Sequence, residues 1–457
     1  MLRIPLLLTM VVLGGAAGVL LSLNGCAGAS SSRKVAITGN YVVVIVQENR
    51  STDNLFQDSV LISRGADIAQ SGQTSEGQTI TLSPSDLATN YDLTHNHAAF
   101  VAMYDGGKMD GANLIPLTCD AGETGCPPPN PPPHPQYMYV KPSEVRPYFQ
   151  MAEQYTFGDR MFQTNQGPSF PAHQFLISGT SAPTATSNLF AAENVDGNGA
   201  GCIASPGSTV KLIDPAGAEN QTQYPCFEHP TLTDLLDAKG ISWRYYTPSA
   251  GSIWTGPDAI QHMCEAQTQN GKLVCTGKAW SNVSIPQTKV LTDIANQNLA
   301  RVTWVVPSGQ TSDHAGQNDG SGPSWVASIV NAIGESPYWP HTTIIVTWDD
   351  WGGWYDHVAP TVINSYEYGF RVPLIVMGPC AKPQYISHVD HDFGSILKFI
   401  EKTYDLGSLG YADAAADDLS DCFDQNQPPL PFQTIQAPMS ADHFLNDPRP
   451  PTDPDDD

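Results

Sequence analysis

Apolar positions along this chain gather into short runs that stop abruptly on polar residues. Val42 to Val46 is the clearest, and Ser242–Tyr246, Val302–Val306, Thr343–Thr347 and Val372–Met377 are strand-like runs of similar length. Runs of five or six such residues predict strands buried on both faces of a sheet. Between them the period changes to that of a helix. Val326, Ile329, Val330 and Ile333 share one face behind Ser324, with Gly334 as a stop; Ile396, Leu397 and Ile400 do the same in a helix from about Gly394 to Tyr404. Thr231 to Ala238, with Gly240 beyond it, predicts a third helix. Strands alternating with helices predict an α/β fold.

Two of these strands empty into unusual chemistry. Val42–Phe56 reads VVVIVQENRSTDNLF and passes from strand to Glu48-Asn49-Arg50-Ser51, while Thr342–Gly353 ends on Asp349-Asp350 with a glycine pair behind. The carboxyl edge of an α/β sheet is where such folds place their sites. Adjacent carboxylates repel unless a cation or a proton is shared between them.

The ends and inserts are of different composition. Arg3, the apolar stretch Ile4–Leu23 and the sequence Leu23-Asn24-Gly25-Cys26 predict a lipoprotein signal peptide over 1–25, a lipidated Cys26 that attaches the chain to a membrane, and a linker over 26–40. A plain signal peptide or an uncleaved anchor fits the same segment. The catalytic domain is expected over 41–431, with Gly/Ser/Asn/Gln-rich residues 182–298 as a lid whose Trp243–Tyr246 belongs to the core, and Asp110–Pro135 as a second insert. The Pro/Asp-rich tail, 432–457, has the composition of a disordered segment. Export makes disulfides durable: nine cysteines less Cys26 leave eight, and proximity suggests Cys119–Cys126, Cys202–Cys226, Cys264–Cys275 and Cys380–Cys422. A formal charge of −25 disfavours nucleic acid as a partner and requires local positive charge wherever a phosphate binds.

A third segment, Asp159–Pro171, sets Ser169 between Pro168 and Phe170-Pro171, where the prolines restrict the backbone around the hydroxyl. A serine hydroxyl at neutral pH needs a base or a metal to attack. No GxSxG elbow is present, and Glu48, Asn49, Asp349 and Asp350 are hard oxygen donors suited to a divalent cation.

Taken in order, ENRSTD, an HxH pair (His95, His97) near Gly-Lys-Met-Asp-Gly, GPSFP, SDH, WDDWGGWYDH and FRVP resemble the bacterial phosphoesterase family of phospholipases C and acid phosphatase A-type enzymes, from Val42 to Asp424. The resemblance implies an alkaline phosphatase-like three-layer sandwich around a large mixed, mostly parallel sheet, with an irregular disulfide-containing lid. It implies Ser169 as nucleophile, and Glu48, Asn49, Ser169, Asp349 and Asp350 as ligands of one divalent metal, with calcium, magnesium, manganese and zinc all open. Charge accumulating on a phosphoryl group needs donors, for which His95, His97, His314 and His357 are candidates. The same imidazoles are alternatively ligands of a second metal. His173, four residues after Ser169, is as fit for packing as for the site. Arg50, Arg160 and Arg371 are expected in structural ion pairs, and Lys108 at the pocket rim. The chain departs from the family pattern at Thr52, where an aromatic is usual, and at Asp350, where glutamate is frequent. His388 and His391 compete for one family position.

The expected activity is hydrolysis of a phosphate ester, of a small molecule or a phospholipid head group, through a phosphoseryl intermediate. A sulfatase or phosphonate hydrolase and a catalytically silent envelope binding protein are the alternatives. No Cys-x-Pro-x-Arg motif supports a sulfatase.

Overall fold

The computed structural model describes residues 41–119 and 125–452. Its centre is an eight-stranded sheet. Across it the strands run Val283–Ser284, Trp243–Tyr246, Val302–Val305, Tyr41–Gln47, Thr342–Trp348, Leu374–Met377, Thr156–Gly158 and Tyr385–Ser387. Five of the seven neighbouring pairs are parallel; Leu374–Met377 is antiparallel to both of its neighbours. The sheet is therefore mixed and mostly parallel, as expected of the α/β class.

All five strands read from apolar runs are present. The three others have two or three residues each, too short to carry a period. Val42–Val46 is buried to within 1% exposure, which is why the run lacks the alternation of a one-sided strand. Helices Gly322–Gly334, Leu232–Ala238 and Phe393–Tyr404 match the periodic segments; the last two carry capping boxes, Thr231 with Asp234 and Asp392 with Ser395. Helices His97–Tyr104, Arg146–Gln154 and Ser169–Ser178 were not signalled by periodicity.

Residues 182–298 form a small sheet (Phe190–Ala191, Val210–Ile213, Gln221–Gln223) and a hairpin (Glu265–Gln269, Lys272–Thr276), and return Trp243–Tyr246 to the main sheet. Disulfides join Cys119–Cys126, Cys202–Cys226 and Cys264–Cys275. The expected Cys380–Cys422 bond is not made: Cys422 is a buried free thiol. The two segments do run antiparallel, with Ala381 opposite Phe423, but Cys380 is itself disulfide-bonded and has no thiol to offer Cys422.

The tail also departs from expectation over 432–452. Phe432 packs on Trp339 and Phe444 on Trp325, the Asn331 side chain bonds both backbone groups of Ile435, and Arg449 pairs with Asp319. Apolar anchors spaced along a proline-rich segment hold it despite its composition. Cys26, and with it the signal and lipidation expected there, lies outside the described residues. Among the described residues no helix is long and apolar enough to cross a membrane.

Candidate active site

Strand register builds the site. Tyr41–Gln47 and Thr342–Trp348 pair in parallel over their whole lengths, Tyr41 opposite Thr342 and Gln47 opposite Trp348. Glu48-Asn49 and Asp349-Asp350 therefore leave the sheet side by side. The backbone then bends: Asn49 takes a left-handed conformation (φ 59°), which asparagine tolerates better than most residues, and its N–H donates to Asp349 Oδ1 at 3.0 Å. Gly352, also left-handed at φ 63°, lies so close that a Cβ there would stand 2.2 Å from the Asn49 carbonyl oxygen. Only glycine allows the two turns to nest.

Ser169 arrives from another element. It is the first residue of the Ser169–Ser178 helix, with Pro171 in the first turn, where a missing N–H costs nothing. Pro168 has no side chain to cap that helix, and Asn194 of the lid region does so, accepting from Phe170 N–H at 3.0 Å. Ser169 Oγ then donates to Asp350 Oδ2 at 3.1 Å. The proline-flanked serine is thus a helix start rather than a simple turn.

Glu48, Asn49, Asp349 and Asp350 are completely buried and Ser169 nearly so. Burial, reinforced by the Asp349 charge, pushes Glu48 and Asp350 well above the usual carboxylate range. Asp349 stays low although burial opposes it, because His173 and hydrogen bonds involving Glu48, Ser169 and Asn49 N–H favour its charge. Asn49 Oδ1 and Asp349 Oδ2 make no hydrogen bond. Three buried carboxylates beside two unpaired oxygens, Asn49 Oδ1 and Asp349 Oδ2, fit a divalent cation, and the donors are the oxygens such an ion prefers.

The histidines divide. His95 Nδ1–H donates to Leu93 O at 2.8 Å, so Nε2 accepts from the Asn49 amide at 2.9 Å and turns Asn49 Oδ1 away from it. His314 lies beside it, ring centroids 5.8 Å apart, and one ligand atom each from Asp92, His95 and His314 falls within a 4.8 Å group. His173 joins the carboxylates directly, Nε2 standing 3.2 Å from Glu48 Oε1. Burial, partly offset by Asp349, lowers its pKa to about 4.

His97 does not share a strand face with His95. It opens the His97–Tyr104 helix, binds Glu219 at 2.6 Å and faces Gln166 Oε1 at 3.4 Å. Beside it a cavity of about 480 Å³ is lined by Asn96, Pro168, Glu193, Asn194 and Lys211 among others.

His357 sits elsewhere. Its Nδ1 is 2.7 Å from Asp53 and its Nε2 3.0 Å from Asp67, within a cluster centred on buried Arg371. Asp313, the acid before His314, points into the core toward Tyr148 and Trp348. Arg50 binds Asp313 O, Leu87 O and Asn54, Arg160 pairs with Asp67, and Lys108 pairs with Asp105 at the surface. His388 binds Asp159, and His391 lies between Ser387 and Asp417. These residues are taken up by structural partners.

The His357 cluster has a pH signature. Burial disfavours its charge, but Asp53 and Asp356 outweigh burial and raise its pKa to about 9. A pKa raised on folding contributes stability that is fully present below the unfolded value near 6.5 and is lost as pH rises through the folded one. Stability should therefore fall by about 3 kcal/mol between pH 6.5 and 9 from this group. Denaturant midpoints across that range should show a smaller drop in His357→Gln; an equal drop would remove His357 as the cause.

The chain belongs to the Phosphoesterase family, whose model matches residues 40–407. It is 23% identical to the hemolytic phospholipase C of Pseudomonas aeruginosa, over 86% of this chain and 57% of that protein. It is 22% identical to phospholipase C B of Mycobacterium tuberculosis, over 86% of this chain and 78% of that protein. The chain spans about half the length, 46–57%, of the Pseudomonas and Burkholderia phospholipases C it matches. Among solved structures it is similar to a protein of the alkaline phosphatase superfamily from Vibrio parahaemolyticus, with a TM-score of 0.35 and 10% identity over 84% of this chain and 71% of that one.

Proposed function

We propose that the protein is an exported, metal-dependent phosphoric ester hydrolase in which Ser169 is the nucleophile. The observation that carries this is the Ser169 hydroxyl at 3.1 Å from Asp350 within a buried carboxylate group at the ends of two in-register strands. Glu48, Asn49, Asp349, Asp350 and Ser169 would hold one divalent ion, which supplies a lowered hydroxyl pKa and charge for the phosphoryl oxygens.

The chain's own groups do the rest. Asp350 Oδ2, which accepts the Ser169 hydrogen bond, takes the hydroxyl proton, and the N-terminus of the Ser169–Ser178 helix favours negative charge on Oγ. Oγ forms a bond to phosphorus as the bond to the alcohol oxygen breaks, and the alcohol leaves with a proton from His314. Water then attacks the phosphoseryl group and gives its proton to His314, the Oγ–P bond breaks, and Ser169 is reprotonated from Asp350 as phosphate or its monoester departs. Asn49, whose amide nitrogen is held by His95, would offer its free oxygen to the ion. The cavity beside Pro168 accommodates the alcohol portion. Relatives named phospholipase C support a phosphodiester as the first substrate, and the acid phosphatase branch of the resemblance supports a monoester. The disulfides Cys119–Cys126, Cys202–Cys226 and Cys264–Cys275 accord with export, and attachment through a lipidated Cys26 belongs to the same proposal.

The test is an assay of a phosphomonoester, a phosphodiester and a phosphocholine ester with calcium, magnesium, manganese or zinc, before and after chelation. Hydrolysis that chelation removes and one of these ions restores is expected. Turnover of the monoester alone would end the phospholipase C reading, and turnover indifferent to chelation would end metal dependence.

A further inference from the structure

We propose that His173 Nε2 is itself a ligand of the cation held by Glu48 and Asp349, which makes this a site for a first-row transition metal such as manganese or zinc rather than for calcium or magnesium. The inference rests on the metal-site proposal above and deepens it.

The tautomer can be read from the hydrogen bonds. The Tyr245 hydroxyl donates to Trp254 O at 2.9 Å and so spends its one proton. Its oxygen therefore accepts from its other neighbours, Gly256 N–H at 3.5 Å and His173 Nδ1 at 3.3 Å. With the ring proton on Nδ1, a neutral imidazole turns the lone pair of Nε2 toward carboxylates: Glu48 Oε1 at 3.2 Å, Oε2 at 3.5 Å and Asp349 Oδ2 at 3.7 Å. A lone pair facing carboxylate oxygens is repulsive unless a cation or a proton lies between.

The separations are those of ligands around one cation. Ligand atoms about 2.1 Å from a common ion and at right angles to each other lie about 3 Å apart. One ligand atom from each of Glu48, His173 and Asp349 falls within a 4.8 Å group, all three residues are fully buried, and Asp349 Oδ2 makes no hydrogen bond. The competing arrangement puts a proton on Glu48 that it donates to Nε2, with no nitrogen on the metal. An imidazole among oxygen donors shifts selectivity because calcium and magnesium prefer oxygen, whereas zinc and its neighbours accept nitrogen.

The full-length protein loaded with Mn(II) gives the decisive spectrum. Electron spin echo modulation from a directly bound ¹⁴N is expected in the wild type, lost in His173→Gln and His173→Asn and retained in His95→Gln. Mn(II) affinity should fall about 10- to 100-fold in the His173 variants, and about 100-fold excess calcium should leave Mn(II) bound to the wild type. One Mn(II) per wild-type chain without nitrogen modulation, modulation that survives in a His173 variant, or displacement of Mn(II) by that calcium excess overturns the inference while leaving the carboxylate site standing. Failure of the wild type to bind Mn(II) at all overturns the metal-site proposal itself. The wild-type spectrum and the calcium competition decide the matter even where position 173 tolerates no substitution.

Discussion

Ser169→Ala should lower phosphoester hydrolysis by about 10³-fold or more, equivalent to about 4 kcal/mol of transition-state stabilisation, without loss of the fold. The size follows from the role: removing the atom that bonds to phosphorus leaves water as the only attacking group. The fold should survive because Ser169 opens a helix whose first turn is capped by Asn194, not by its own hydroxyl. Rates under saturating substrate, with circular dichroism as a control on folding, check it. A folded variant within tenfold of wild-type activity would show that Ser169 is not the nucleophile.

Arg371→Leu should cost about 3–5 kcal/mol of folding stability, the largest loss expected from any single replacement outside the reacting groups. Arg371 is fully buried and spends its whole guanidinium. Nε and Nη2 take Asp356 in a bidentate pair, Nη2 also reaches Asp53, and Nη1 donates to Asp67 O and Asp159 O. Leucine fills part of the volume but abandons Asp53 and Asp356 as buried charges. A denaturant midpoint in the double variant Arg371→Leu/Asp356→Asn should recover part of the loss. If Arg371→Leu alone unfolded within 1 kcal/mol of wild type, the cluster would not be the brace it resembles.

That cluster also explains what the sequence concealed. WYDH places His357 among the candidate phosphoryl donors and FRVP places Arg371 in a structural ion pair; the fold keeps the second and moves His357 to it. Glu48, Asn49, Asp349 and Asp350 go to one buried group, while Asp53, Asp356, His357 and Arg371 form another that braces the turns behind it. Both strand ends were legible because a β-branched run ending on acids has few other meanings, and their convergence followed from strand pairing. Partners of single histidines were not. His314 and His357 each follow an aspartate, but Asp313 turns into the core and His357 bonds Asp53 and Asp67 from distant segments. Adjacency along the chain fixed neither pairing.

His173 has a usable signal in its spacing from Ser169, which the flanking prolines obscure. Four residues after Ser169 is one helical turn, so a helix beginning at the serine would carry both side chains on one face. Prolines on both sides of Ser169 mask that helix in the sequence, although proline is at home in a first helical turn. The tail was misjudged for a related reason: its composition is that of disorder, but Phe432, Ile435 and Phe444 are enough to dock it over the Gly322–Gly334 helix and Trp339.

Anomalous diffraction from crystals of the full chain soaked in Mn(II) tests the central claim most directly. One peak is expected within about 2.5 Å of Ser169 Oγ and of oxygens from Glu48, Asp349 and Asp350. A fully occupied peak elsewhere, with no density among these carboxylates, would contradict the account.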